Sequence, residues 1–215
     1  MFYWIKTPKI VKWLFHNQHW SVQNTERKIY LTFDDGPTPQ VTEWTLDILK
    51  KENIKATFFC IGKNIENHPD IFQKVIDDGH AIGNHTFNHR NGWKTKTKEY
   101  LENIEQCEST IQNNGSKKQN TKLFRPPYGK VTLKQSVKLR KAGYRIIMWD
   151  ILTADFDTTV SPENCLENAI QKVEPGSIIV FHDSLKAKIN LEYALPKAIK
   201  FLKEKGFVFD SIQSN

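Results

Sequence analysis

The stretch Lys28–Pro37, KIYLTFDDGP, decides how the rest of the chain is read. Its first six residues, Lys28–Phe33, are rich in β-branched and aromatic side chains and form a strand candidate. The run then breaks into Asp34-Asp35-Gly36-Pro37, an acidic pair entering a Gly-Pro turn. An apolar strand that ends in titratable residues fits a parallel α/β sheet, in which sites form at the C-terminal ends of the strands.

Outward from this stretch the same theme repeats. Val41–Lys51 has helical spacing, and Ala56–Cys60 is a second strand. Pro69–Asp78 reads as a helix with Pro69 in its first turn and Gly79 as its stop. His80–Asn84 is a short strand, and Lys96–Asn114 is a longer helix ended by Asn114-Gly115. The polar stretch Gly115–Thr121 reads as an exposed loop. The second half offers strands at Lys122–Arg125, Tyr144–Trp149, Ser177–His182 and Phe207–Phe209. Between them lie helices at Leu133–Ala142, from Ser161-Pro162 onward, and at Leu191–Lys205. Six or seven strand–helix units imply a parallel sheet with helices outside, its strands covered on both faces. An open doubly wound sheet and a closed barrel both fit. At 215 residues the chain is short of the roughly 250 typical of a full eight-unit barrel.

Composition sets the outer bounds. Hydrophobic residues at 39% and charged residues at 26% suit a folded globular chain and exclude a disordered one. The longest apolar runs, such as Ile178–Phe181, fall far short of the roughly 18–20 residues of a membrane span. The net charge of +7 favours anionic neighbours such as nucleic acid, acidic polymers or anionic lipid, or is simply a solvated basic surface. No zinc-finger or RNA-binding aromatic motif supports a nucleic-acid partner. Cys60, Cys107 and Cys165 are widely spaced and odd in number, so no disulfide framework is expected. Residues 1–27 read as an N-terminal arm ahead of one domain over 28–215. The arm is aromatic-rich but lacks the apolar stretch and small-residue cleavage site of a standard signal peptide. With reduced cysteines, this makes a cytoplasmic location the expectation where any is drawn. In the arm, Ile10, Val11, Leu14 and Phe15 share one helix face. A helix capping one end of the core is preferred to an interfacial helix on anionic lipid.

The chemistry collects where the strands end. Asp34-Asp35 follows the first strand, and His85-Thr86-Phe87-Asn88-His89 the third. Arg125-Pro126-Pro127-Tyr128-Gly129 follows Leu123–Phe124, and Asp150 and Asp155 follow Ile146–Trp149. His182-Asp183 closes the strand at Ile178–Phe181. In a regular strand Asp34 and Asp35 would point to opposite faces, but at a strand end both can enter one site. His85 and His89, four apart, sit on one side of a helical turn, as chelation requires. Two histidines and a carboxylate make a catalytic zinc set with an open position, and other divalent first-row ions suit it too. Two prolines stiffen the loop that carries Arg125 and Tyr128.

In their order, Thr32–Pro37, His85–His89, Arg125–Gly129 and Val180–His182 resemble the motifs of the polysaccharide deacetylases, carbohydrate esterase family 4, which carry the NodB homology domain. The resemblance covers about residues 28–210. It implies a distorted, incomplete (β/α) barrel of about seven parallel strands. It implies a divalent metal, usually Zn2+ with Co2+ an alternative, held by Asp35, His85 and His89. Asp34 matches the general base, Arg125 the residue that orients it, Tyr128 the backbone oxyanion donor and His182 the general acid. The family's Asp-Trp pair is best matched by Asp155-Phe156, with Asp150 competing as the carboxylate that tethers His182. The implied activity is removal of N-acetyl groups from an N-acetylhexosamine polymer, by metal-activated water with an Asp base and a His acid. Peptidoglycan, a surface polysaccharide, chitin oligomers and a lipid-linked sugar all fit as substrates, and the chain is expected to act as a monomer. Rival readings are a two-carboxylate glycosidase, a hydrolase of other non-peptide C–N bonds, and a glycan-binding module without turnover.

Overall fold

The computed structural model describes residues 3–115 and 122–213, so positions 116–121 of the loop expected at Gly115–Thr121 lie outside the described residues. A short helix α1 (Lys9–Leu14) precedes β1 (Lys28–Asp34), α2 (Val41–Lys51) and β2 (Thr57–Cys60). Then come α3 (Gly62–Asn67), α4 (Pro69–Asp77), β3 (Ala81–Asn84), α5 (Thr97–Asn114) and β4 (Leu123–Phe124). The chain continues through α6 (Leu133–Lys141), β5 (Arg145–Ile146), β6 (Ile151–Leu152) and α7 (Pro162–Ile170). It ends with β7 (Ile178–His182), α8 (Lys188–Glu204) and β8 (Val208–Phe209). Local chemistry explains several boundaries. Thr132 and Gln135 exchange side-chain and backbone hydrogen bonds in a capping box that starts α6. The Ser161 hydroxyl accepts from the Asn164 N–H, with Pro162 at the first position of α7.

Among the described residues, seven strands run parallel in the order β5-β4-β3-β2-β1-β7-β6, and β8 extends β1 at its start. The sheet curls into an incomplete barrel, as the resemblance implied. Alternation along β1 separates two cores. Ile29, Leu31 and Phe33 pack outward with α2 and α8 residues such as Leu46, Leu49, Leu195 and Ile199. Tyr30 points the other way and packs with Phe59, Leu123, Ile147, Ile178 and Ile212. Asp34 has the parity of Tyr30, so the strand that fills the barrel also delivers a carboxylate to its mouth.

Register brings the chemistry to one level. Asp34 pairs with His182 across β1 and β7 and with Phe59 across β1 and β2. Asn84 lies beside Cys60 on one side and Phe124 on the other. His85 and Arg125 therefore follow at the same height as Asp35. The three cysteines are free and buried.

The seam between β5 and β6 is where the structure departs from the sequence expectation. Tyr144–Trp149 does not run as one strand. Past Ile146 the Ile147 N–H still donates to the Phe124 carbonyl (2.8 Å), while the free edge pairs with the N-terminal arm: the His19 N–H donates to the Ile146 carbonyl (2.8 Å) and the Met148 N–H to the His19 carbonyl (2.7 Å). Further along, the Thr7 N–H donates to the Asp150 carbonyl (2.9 Å) and the Leu152 N–H to the Ile5 carbonyl (2.8 Å). The arm thus covers edges that would otherwise stand open. Buried Asp150 locks it, bonded by Lys6 (2.7 Å), Lys12 and the Ser177 hydroxyl (2.5 Å). Helix α1 itself buries no residue: Ile10, Leu14 and Phe15 are exposed. The arm is held by backbone bonds and Asp150, not by the apolar helix face.

Candidate active site

The Asp34-Asp35 turn is the first wall of the site. Asp35 has φ 85, a left-handed conformation that a non-glycine residue adopts only when its surroundings enforce it. Three contacts enforce it. The Asn64 side chain donates to the Asp35 carbonyl (2.7 Å), the Ile61 N–H to the Gly36 carbonyl (3.0 Å), and the Gly36 N–H to Asp183 Oδ1 (3.0 Å). This turn is how two adjacent carboxylates reach one cleft. Among the described residues nine non-glycine residues have positive φ, and five of them, Asp35, Thr86, His89, Tyr128 and Ala154, stand in the loops around this cleft. The backbone strain of the molecule is concentrated where side chains must be aimed.

Arg125 is fully buried, not at the surface. Its Nη1 donates to Asp34 Oδ1 (2.7 Å) and Thr32 Oγ1 (2.7 Å), its Nη2 to the Met148 carbonyl (2.9 Å) and its Nε to the Ile147 carbonyl (3.3 Å). The guanidinium also lies 4.1 Å from the centre of the Phe59 ring. Burial pushes the Asp34 pKa upward, but the Arg125 charge and hydrogen bond outweigh it, and Asp34 is held below the usual carboxylate range. Asp34 is therefore ionised at neutral pH, with Oδ1 tied to Arg125.

Opposite stands the His182–Asp155 pair. His182 donates its backbone N–H to Asp155 Oδ2 (2.7 Å), and its Nδ1 lies 2.8 Å from Asp155 Oδ1. A carboxylate accepts, so Nδ1 carries the proton and Nε2 faces the cleft. Burial lowers the His182 pKa, yet Asp155 more than offsets this, with Asp35 and Asp34 adding, and the pKa rises to about 9. Asp150 is not the tether: it is committed to Lys6, Lys12 and Ser177. Phe156 packs edge-on against His182 (4.9 Å between centroids), and Tyr3 of the arm packs on Phe156 (5.6 Å) while donating its hydroxyl to Asp157 (2.8 Å).

The third group is Asp35, His85 and His89, whose ligand-capable atoms lie within 4.8 Å of one another. His85 Nδ1 lies 2.8 Å from the Arg125 carbonyl, which can only accept, so Nδ1 is protonated and the Nε2 lone pair turns toward Asp35. His85 Nε2 and His89 Nε2 lie 3.8 and 3.3 Å from Asp35 Oδ1. Burial drives the His85 pKa down to about 4 and lowers that of His89, so both imidazoles are neutral. Asp35 Oδ1 is buried and has no hydrogen-bond donor. An orphaned carboxylate oxygen facing two neutral imidazoles is a donor set that fits a divalent cation. Tyr128, φ 60, follows Pro127 in a tight turn, and its ring stands 4.6 Å from that of His89.

Three supports went unread in the sequence. Asn64 lies on α3, a six-residue helix without a strong periodic signal. Thr32 looks like an ordinary strand residue until Arg125 reaches it. Asp183 is fully buried; its Oδ2 accepts from the Thr42 hydroxyl (2.5 Å), whose oxygen accepts from the Thr38 N–H (2.7 Å). Burial, against the hydrogen bonds from Thr42 and Gly36, raises the Asp183 pKa to about 8.

A parallel half-barrel with a carboxylate–arginine pair, a histidine–carboxylate pair and a two-histidine, one-carboxylate cluster at its mouth fits a hydrolase of the deacetylase type. The chain belongs to the polysaccharide deacetylase family, whose model matches residues 21–147. It is 36% identical over 191 residues to a peptidoglycan-N-acetylglucosamine deacetylase of Bacillus cereus, a match covering 87% of this chain and 67% of that protein. It is 31% identical over 190 residues to the peptidoglycan-N-acetylmuramic acid deacetylase PdaA of Bacillus subtilis, over 87% of this chain and 70% of that one. The crystal structure of the Bc1960 peptidoglycan N-acetylglucosamine deacetylase superposes with a TM-score of 0.87 at 33% identity, covering 96% of this chain and 95% of that one. The fold alone does not make a catalyst. A pseudoenzyme of carbohydrate esterase family 4 from Bacillus anthracis, BA3943, also superposes with a TM-score of 0.80 at 25% identity, over 90% of this chain and 66% of that one.

Proposed function

We propose that this enzyme removes N-acetyl groups from hexosamine residues of peptidoglycan or a related surface glycan, with a divalent metal, zinc or another first-row ion, held by Asp35, His85 and His89. The observation that carries this reading is the buried, donor-less Asp35 Oδ1 facing two neutral imidazoles, flanked on one side by Asp34–Arg125 and on the other by His182–Asp155. A glycosidase would have no use for that cluster. A binding module without turnover would have no use for a buried base and a tethered acid.

Bound there, a divalent ion supplies Lewis acidity to the acetyl carbonyl and makes water acidic enough to yield a proton near neutral pH. Asp34 accepts that proton at Oδ2, because Arg125 occupies Oδ1 and keeps the carboxylate charged. The Tyr128 N–H supports the negative charge that develops on the acetyl oxygen; the turn's own bonds come from the Gly129 and Lys130 N–H groups. His182, fixed by Asp155, gives the proton on Nε2 to the departing nitrogen as the C–N bond breaks. Amide and water become acetate and a free amine. The similarity to peptidoglycan deacetylases supports a cell-wall glycan as substrate.

Acetate release across a panel of peptidoglycan, N-acetylglucosamine oligomers and acetylated xylan tests the assignment. Release from peptidoglycan or the oligomers, with a free amine appearing in step, is the expected result. Chain cleavage without acetate would overturn it.

A further inference from the structure

Four residues beyond His89 the chain presents Trp93 with 62% of its surface exposed. An exposed indole is ordinarily free to turn, but this one is fixed. Its Nε1–H donates to the Val131 carbonyl (3.2 Å), and Lys130 Nζ lies 3.9 Å from the ring centroid. Its backbone N–H donates to Asn91 Oδ1 (3.0 Å), and the preceding Gly92 N–H donates to the Lys130 carbonyl (3.0 Å). A Cβ on Gly92 would lie 2.4 Å from that carbonyl oxygen, so only glycine lets the two loops meet this closely. These are the loops after β3 and β4, one carrying His85 and His89, the other Arg125 and Tyr128. Tyr128 is itself half exposed and rests against His89.

We propose that Trp93 is a stacking platform for a sugar ring of the same glycan chain, next to the residue whose acetyl group is removed. This rests on the reading of the site as a glycan deacetylase and names a subsite for its substrate. The indole N–H is already spent on Val131 and one ring face carries Lys130, so what remains is a flat, apolar, immobile surface. A pyranose presents an apolar C–H face of matching shape, and a platform ordered before binding loses little entropy on contact. Four residues of chain span at most about 14 Å, which keeps Trp93 within reach of a neighbouring sugar. A stack of this kind adds affinity only for substrates long enough to touch it.

The test is acetate release from N-acetylglucosamine oligomers of two and of six sugars, by the wild type, Trp93→Ala and Trp93→Tyr. In Trp93→Ala the ratio of kcat/KM for the hexamer over the dimer falls about tenfold, through KM rather than kcat, and Trp93→Tyr restores most of it. An unchanged ratio, or an equal loss on both substrates, overturns the subsite. If the wild type releases no acetate from either, the deacetylase reading fails on these substrates. Calorimetric titration with the hexamer then reads the platform alone: weaker binding in Trp93→Ala supports it, and equal binding overturns it.

Discussion

On one side of the cleft each charged group is tied to a partner in the protein; on the other a buried carboxylate oxygen has no donor. Arg125 spends its guanidinium on Asp34, Thr32 and two carbonyls, and His182 is bonded twice to Asp155. The Asp35 cluster brings three ligand atoms together yet leaves Asp35 Oδ1 without a donor. Buried polar atoms are almost always paired, because leaving one bare costs about 1–3 kcal/mol. The saturated side is held by the fold alone and sets protonation states. On the unsaturated side a bound cation would offset that cost. Under the proposed function, the difference separates residues that would move protons from residues that would hold a metal, although Asp34 and Asp35 are neighbours in sequence.

That division can be broken by substitution. The largest effect is expected for Asp34→Asn, which keeps an oxygen for Arg125 and removes the base. Acetate release should fall by roughly 10²–10⁴-fold while the bound metal per chain, measured by atomic emission, stays at the wild-type level. Loss of the metal in this variant would merge the two sides. His89→Ala should do the reverse: metal affinity, followed by competition with a chromogenic chelator, drops by more than about 100-fold. The melting temperature with chelator present, by contrast, should match that of the wild type within a few degrees.

A smaller change is expected at the acid. His182 must be protonated to act, and its pKa of about 9 is raised above 6.5 chiefly by Asp155 working against burial. Activity should therefore fall as pH rises through the His182 pKa. In Asp155→Asn that falling limb moves to lower pH, read from kcat/KM profiles. A limb that does not move would remove Asp155 from the role of tether. The smallest effect concerns the turn. A Cβ at Gly36 would lie 1.9 Å from Asp183 Oδ2, so Gly36→Ala should cost about 1–3 kcal/mol of stability by denaturant titration and weaken metal binding along with it. Undiminished metal affinity in that variant would mean that Asp183 does not help aim Asp35.

How much of this was legible in the sequence depends on the range of each contact. The strands carried their signal locally, since apolar runs such as Ile178–Phe181 give way at once to titratable residues. His85, His89, Arg125 and His182 were readable because they follow those runs. Asp34 and Asp35 were readable as a pair, but the left-handed turn that sends both into one cleft was not. It depends on Asn64 and Asp183, which are 29 and 147 residues from their partners in the turn. The choice between Asp150 and Asp155 was equally hidden, because only packing shows that Asp150 binds two lysines of the arm. The arm misled for a related reason. Its apolar helix face looked like core, whereas the backbone of residues 5–7 and 19, which carries no side-chain signature, does the docking.

In the proposed function the Asp35 cluster is a metal centre on which deacetylation depends. The direct test is acetate release from an N-acetylglucosamine hexamer by protein stripped with chelator and then titrated with zinc or cobalt. No release from the stripped protein and full recovery at one equivalent of metal are expected. Release by the stripped protein at the rate of the metal-loaded one would contradict that role.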